Sequence, residues 1–302
     1  MESDQLKLLG RSVTPIDTAV ADAGSMGLRV FIDEPAAIAA VAEALHLGMP
    51  GIAGLHLEGP HLSVARKGAH DASLIRPLSN EDMAMLTDAV ARIPNLMMTL
   101  APENATPDQI AALTQAGVLV SLGHSDCDYD TAMRAFGAGA RMATHLFNAM
   151  SQANARSPGL VGAALDHPRV ASGLIADGVH VHPAMIRAAL AANRGAAEVF
   201  LVTDAMATGG SDITSFTLND REILRRDGRL TLADGTLAGA DLTLLQAVRY
   251  MHNTVGEPLE RALARATVIP AQLLAHPPEA DSVDAMIWIN DDLSELHWLT
   301  EL

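Results

Sequence analysis

The chain has 302 residues, enough for one large α/β domain or two small ones, and nearly half of them are apolar while only 3% are aromatic. Its formal net charge of -16 makes nucleic acid and anionic membranes poor partners, and no apolar run reaches the roughly 18 to 20 residues of a membrane span. The single cysteine, Cys127, excludes an internal disulfide framework, and the N-terminal MESDQLKLLGRS lacks a basic segment followed by an apolar one; both point to a cytoplasmic protein.

Short aliphatic runs alternate with Ala-rich helical stretches. The candidate strands are 28-LRVFID-33, 52-IAGLHL-57, 96-LMMTLA-101, 118-VLVSLG-123, 140-ARMATH-145, 170-VASGLIA-176 and 198-EVFLVTD-204. Candidate helices lie between them at 35–48, 79–93, 106–117 and 183–195. Ser79 and Asp82 form a capping-box pattern, and Pro183 stands at a first-turn position. Strand–helix alternation predicts a parallel sheet with helices outside it. Seven strands are one short of a (β/α)8 barrel, in which catalytic residues sit at the C-terminal strand ends. The polar residues follow that rule: Glu58 follows IAGLHL, His124 follows VLVSLG, His145 ends ARMATH and Asp204 ends EVFLVTD. After Asp204 the segment 216–239 reads as a polar β-meander with Asn-Asp and Asp-Gly turns. A helix is expected over 241–256, and 284–300 reads as two strands around an Asp-Asp turn.

Imidazole nitrogens and carboxylate oxygens are zinc donors, and a catalytic zinc uses about three protein ligands with one position open. Glu58, His124 and His145 make such a set; their spacings of 66 and 21 residues are too long for a local zinc knuckle and fit ligands delivered by different strands. A cation held there acidifies a water, and Asp204, at another strand end, is placed to take its proton and pass it on.

The stretches 55-LHLEGPHL-62, 66-RKGAH-70, 100-LAPE-103, 121-SLGHS-125, 144-THLFNAM-150, 156-RSPGLVGAALD-166, 175-IADGVHV-181, 201-LVTDAM-206 and 234-DGTLAGADLTL-244 occur in this order through about residues 50 to 270. Together they resemble the N-acetylglucosamine-6-phosphate deacetylases of the amidohydrolase superfamily. The resemblance implies a (β/α)8-type TIM barrel with a reduced β-sandwich appendage. It implies one divalent metal per chain, Zn²⁺ or else Fe²⁺, Co²⁺ or Mn²⁺, on Glu58, His124 and His145. It makes Asp204 the general acid/base and His70 the group that polarises the acetamide carbonyl. Asn148, the backbone of Ala149, Arg156 and His180 match sugar-phosphate positions, with Arg156 reaching the neighbouring site of a homodimer. The implied reaction hydrolyses the acetamide of N-acetylglucosamine 6-phosphate to glucosamine 6-phosphate and acetate. Another N-acetyl amino sugar or N-acyl substrate, or a non-catalytic remnant, are the alternatives.

The pattern departs from this family in two places. No HxH or QxN element precedes residue 50, so the motif and the eighth strand are missing together. The lead-in to the final strands is replaced by 274-LAHPPEADSVDA-285. The expected division is a barrel over 1–275, with 216–239 inserted, and a β-sandwich remnant over 276–302. Of the remaining candidates, His56 reads as a core histidine beside the site and His61 as a pocket-lining one. His182 has no assigned role. Asp126, Asp128 and Asp130 read as a solvated loop or helix start, and Cys127, among acids, as an unreactive thiol.

Overall fold

The computed structural model describes residues 34–49, 52–193, 198–218, 221–277, 287–290 and 292–298. The candidate strand 28–33 lies outside them. Six strands form one parallel sheet in sequential order: β1 (Leu55–Glu58), β2 (Leu96–Leu100), β3 (Leu119–Leu122), β4 (Met142–Ala143), β5 (Ala171–Ile175) and β6 (Val199–Val202). Helices cover one face: α1 (Glu34–His46), α2 (Asn80–Val90), α3 (Pro107–Gln115), α4 (Tyr129–Gly137), α5 (Gly159–Asp166) and α6 (Pro183–Ala192). The sheet is that of an incomplete TIM barrel, with its first described strand at one edge and its sixth at the other.

Local chemistry starts these helices. Ser79 accepts from the Asp82 amide while the Asp82 side chain accepts from the Ser79 amide, so α2 has the capping box its sequence predicts. Thr106 and Gln109 do the same for α3, Asp128 caps α4, and His182 with Pro183 opens α6.

Side chains alternate across the sheet. Leu55, Leu57, Leu96, Met98, Leu100, Val120 and Leu122 join the helices in the principal core. The opposite face carries His56, Thr99, Ser121 and Thr144, linked side chain to side chain. His56 Nε2 lies 2.6 Å from Thr99 Oγ1, which lies 2.6 Å from Thr144 Oγ1, itself 2.6 Å from Ser121 Oγ. Burial lowers His56 to about 4, so it is a neutral member of this hydrogen-bonded chain, with Nε2 engaged by Thr99.

Strand β4 is shorter than the expected 140–145 because His145 takes a left-handed backbone, φ 32°, which ends the ladder. Beyond β6, the predicted meander forms an antiparallel sheet of β7 (Ser215–Leu218), β8 (Arg221–Arg226), β9 (Arg229–Thr231) and β10 (Leu237–Ala240), paired in sequential order. Its apolar face, Leu218, Ile223, Leu230, Leu232 and Ala238, packs on Ala69 and Met206. The helix expected over 241–256 begins as α7 (Leu244–Tyr250), widens into a π-helical turn (Met251–Val255) and stops at Gly256. Then α8 (Leu259–Ala266) and α9 (Val268–Ala271) follow. The hairpin of β11 (Ile287–Ile289) and β12 (Leu296–Trp298) packs Leu296 into the same core as β5, β6 and α7.

Candidate metal centre and active site

The C-terminal ends of the parallel strands meet in one cavity of about 390 Å³. Glu58 reaches it from the end of β1, His124 from the second residue after β3, His145 from the second after β4, and Asp204 from the second after β6. His124, His145, Ala149 and Asp204 all have positive φ, between 32° and 51°. A left-handed backbone at a residue with a Cβ costs about 1–2 kcal/mol and persists where surrounding structure imposes it. Here it turns these side chains from the strand direction into the cavity.

Glu58 Oε1 lies 2.9 Å from His124 Nε2 and 2.9 Å from His145 Nε2, and the two Nε2 atoms are 3.1 Å apart. His124 Nδ1 donates to the Arg66 carbonyl oxygen at 2.8 Å. A carbonyl only accepts, so the neutral His124 ring carries its proton on Nδ1 and presents a bare lone pair at Nε2. That lone pair faces a carboxylate oxygen and a second imidazole nitrogen. Three electron-rich atoms brought together in this way are stable around a shared positive charge, and two imidazoles plus one carboxylate suit a divalent transition metal. The residues therefore fit the cation that their pattern implies.

Electrostatics show the same demand for positive charge. Burial alone would raise Glu58, yet the two histidines hold it well below the usual carboxylate range. Burial would lower His145, yet Glu58 lifts it to about 9. Burial, reinforced by the neighbouring imidazoles, lowers His70 to about 3, so His70 is neutral. Its ring stands edge-on to His124, with centroids 4.6 Å apart. Burial raises Asp204 above the usual carboxylate range.

Asn148, Ala149 and His180 also line the cavity. Arg156 does not: it is exposed, on the loop between residues 151 and 158. His61 is likewise absent from the lining. It is fully buried, with Nδ1 against the Arg76 carbonyl and Nε2 3.7 Å from Asp82. The expectation of a pocket-lining His61 is thus corrected: the loop after Pro60 folds back beneath Arg76. Asp126 pairs with Arg66 at 2.8 Å, and Cys127 is buried, its thiol pushed up to about 11.

The remaining walls were not assigned from the sequence. Leu218 and residues 236–239 close the cavity from the antiparallel sheet, and Arg66 and Met206 complete it. Gly68 crosses His124 so closely that a Cβ would stand 3.2 Å from its Cε1. Arg221 of β8 donates to the Ala69 carbonyl, tying the sheet to the loop that carries His70. The signal was present in 234-DGTLAGADLTL-244, but the role belongs to backbone shape, which no side chain in that stretch announces.

An incomplete parallel barrel with a Glu/His/His cluster and a half-buried acid at its strand ends has the layout of the metal-dependent hydrolases of the TIM-barrel kind. The chain belongs to the amidohydrolase family, whose model matches residues 12–285. It is 40% identical over 263 residues to an N-acetylgalactosamine-6-phosphate deacetylase of Shewanella sp. (strain ANA-3), covering 85% of this chain and 66% of the relative. It is 36% identical over 275 residues to an N-acetylglucosamine-6-phosphate deacetylase of Vibrio furnissii, covering 87% and 68%. The crystal structure of N-acetylglucosamine-6-phosphate deacetylase from Pasteurella multocida superposes with a TM-score of 0.78 at 35% identity, covering 85% of this chain and 68% of that one. The chain thus spans about two thirds of the length of these relatives.

Proposed function

We propose that this protein hydrolyses the acetamide of N-acetylglucosamine 6-phosphate, giving glucosamine 6-phosphate and acetate. The observation that carries the reading is the convergence of Glu58, His124 and His145 within hydrogen-bond distance of one another, in a cavity that Asp204 and His70 also line. Glu58, His124 and His145 hold the cation, Zn²⁺ by preference, with Fe²⁺, Co²⁺ or Mn²⁺ as substitutes. When bound, the cation supplies Lewis-acid polarisation and a water acidified toward neutral pH. Neutral His70 donates a hydrogen bond to the acetamide oxygen. Asp204 takes the water's proton and returns it to the departing amine; burial raises its carboxyl, which favours its holding the proton between the two transfers. Asn148, the Ala149 backbone and His180 receive the sugar phosphate. Arg156, exposed and away from its own cavity, serves the site of a second copy in a homodimer. Residues 276–302 are, on this reading, what corresponds to the small β-sandwich, and the barrel takes the rest.

A second reading, deacetylation of N-acetylgalactosamine 6-phosphate, is favoured by the 40% identity to the Shewanella relative. Acetate release from the two phosphorylated epimers and from plain N-acetylglucosamine, with metal content measured on the same protein, tests both. Turnover of a phosphorylated epimer at about one metal per chain supports a deacetylase. Metal-replete protein that releases no acetate from any of the three refutes it.

A further inference from the structure

The stretch 175-IADGVHV-181 contains a carboxylate that the reaction as described does not use. Asp177 follows β5 by two residues and is almost wholly buried: its side chain is 7% exposed and that of His180 6%. Asp177 Oδ2 accepts from His180 Nδ1 at 2.6 Å, while Oδ1 accepts from the backbone amides of Val179 and His180, both at 2.8 Å. Among the described residues His180 Nε2 has no hydrogen-bond partner, and the ring lines the cavity. Tyr250 of α7 packs over the turn; a Cβ on Gly178, φ 75°, would stand 2.7 Å from its hydroxyl. The dyad is therefore fixed from beneath by backbone amides and from the side by an aromatic ring.

This geometry decides what His180 can do. A carboxylate accepts only, so Nδ1 must carry a proton. The neutral ring then offers a lone pair at Nε2, and only the imidazolium, with Asp177 as its counter-charge, can donate to an anion there. We propose that Asp177 is the positioning residue of the anion subsite: it locks His180 as an Nδ1–H donor, aims Nε2 into the cavity and pairs with the imidazolium when His180 donates to the substrate's phosphate. This rests on the reading of His180 as a phosphate contact.

The test uses Asp177→Asn, whose carbonyl oxygen keeps both amide contacts while its NH₂ now faces Nδ1. That forces the neutral ring into the Nε2–H tautomer. Nitrogen-15 NMR of the histidine rings should show this inversion at His180. The Nε2–H tautomer still donates but without its charge, so KM for N-acetylglucosamine 6-phosphate should rise about five- to tenfold, with kcat and the KM for plain N-acetylglucosamine little changed. Thermal unfolding of D177N near that of the parent excludes a collapsed turn as the cause. An unchanged tautomer and unchanged KM in D177N overturn the proposal. His180→Asn separates the two readings: if it raises KM while D177N does not, only Asp177's role falls. If His180→Asn leaves KM unchanged, the phosphate reading of His180 falls and Asp177's role falls with it.

Discussion

Gly239 joins the antiparallel sheet to the acid of the site, and its replacement by alanine offers a direct test of that joint. It lies in β10 at φ 75°, where a Cβ would stand 2.3 Å from Met206 Cγ and 2.9 Å from the Asp204 carbonyl oxygen. That same oxygen accepts from the Ala240 amide at 2.8 Å, so the new methyl would push on a contact that ties Asp204's backbone to the sheet. A left-handed alanine costs about 1 kcal/mol relative to glycine, and overpacking adds about 1–3 kcal/mol. Gly239→Ala should therefore destabilise the fold by about 2–4 kcal/mol and lower Tm by roughly 4–16 °C. Asp204 should move by a few tenths of an ångström or more, and turnover should fall at least about tenfold. The double variant Met206→Ala/Gly239→Ala removes the nearest collision and leaves the carbonyl contact and the positive φ. It should recover about 1–2 kcal/mol relative to additivity in a double-mutant cycle, read by chemical denaturation. A Gly239→Ala protein with parental Tm and turnover, or a cycle with no coupling, would refute this account of the joint.

Other outcomes follow from the same geometry. Glu58→Gln should lose metal affinity by more than about a hundredfold, since it removes a ligand where loss of an outer partner already costs 10–100-fold; equilibrium dialysis reads it. Asp204→Asn should bind metal normally yet lose roughly 10²–10⁴ in kcat, and near-full turnover with metal bound would show that the proton passes elsewhere. Asp82 is held at about 2: burial opposes its charge, but Arg76 and the Ser79 amide outweigh it. Its folded value is depressed, so its contribution, about 2 kcal/mol, is present above about pH 4 and fades as pH falls toward 2; Asp82→Asn should flatten stability across that window. Cys127, its thiol raised to about 11 mainly by burial, should resist iodoacetamide at pH 8 until the protein unfolds, as intact-mass measurement would reveal.

How far the molecule could be read from its residues depends on what kind of signal each feature leaves. Ser79 with Asp82 and Pro183 were legible because a cap is a local interaction between residues a few positions apart. Glu58, His124, His145 and Asp204 were legible as a group because parallel strands deliver their C-terminal ends to one place, whatever the separation in sequence. The backbone that aims them was not. Positive φ at His124, His145 and Asp204 is imposed by packing against local preference, and a one-dimensional pattern carries no trace of it.

His61 shows the opposite failure. A histidine three residues beyond Glu58 invites a functional reading, yet its environment is set by Arg76 and Asp82, which lie 15 and 21 positions away. Such a contact depends on how one loop folds under another, not on any period in the sequence. The same reason hid the far wall of the cavity. Thr236, Leu237, Ala238 and Gly239 carry no titratable group, and they matter because an antiparallel sheet inserted after β6 folds back over the strand ends. The Glu58/His124/His145 cluster and the wall that covers it thus come from different layers of the structure. The parallel strands supply charge, and the inserted sheet supplies shape. Arg221 on Ala69 and Gly239 against Asp204 are where the two layers meet, so a substitution at either contact should disturb turnover before it disturbs metal binding.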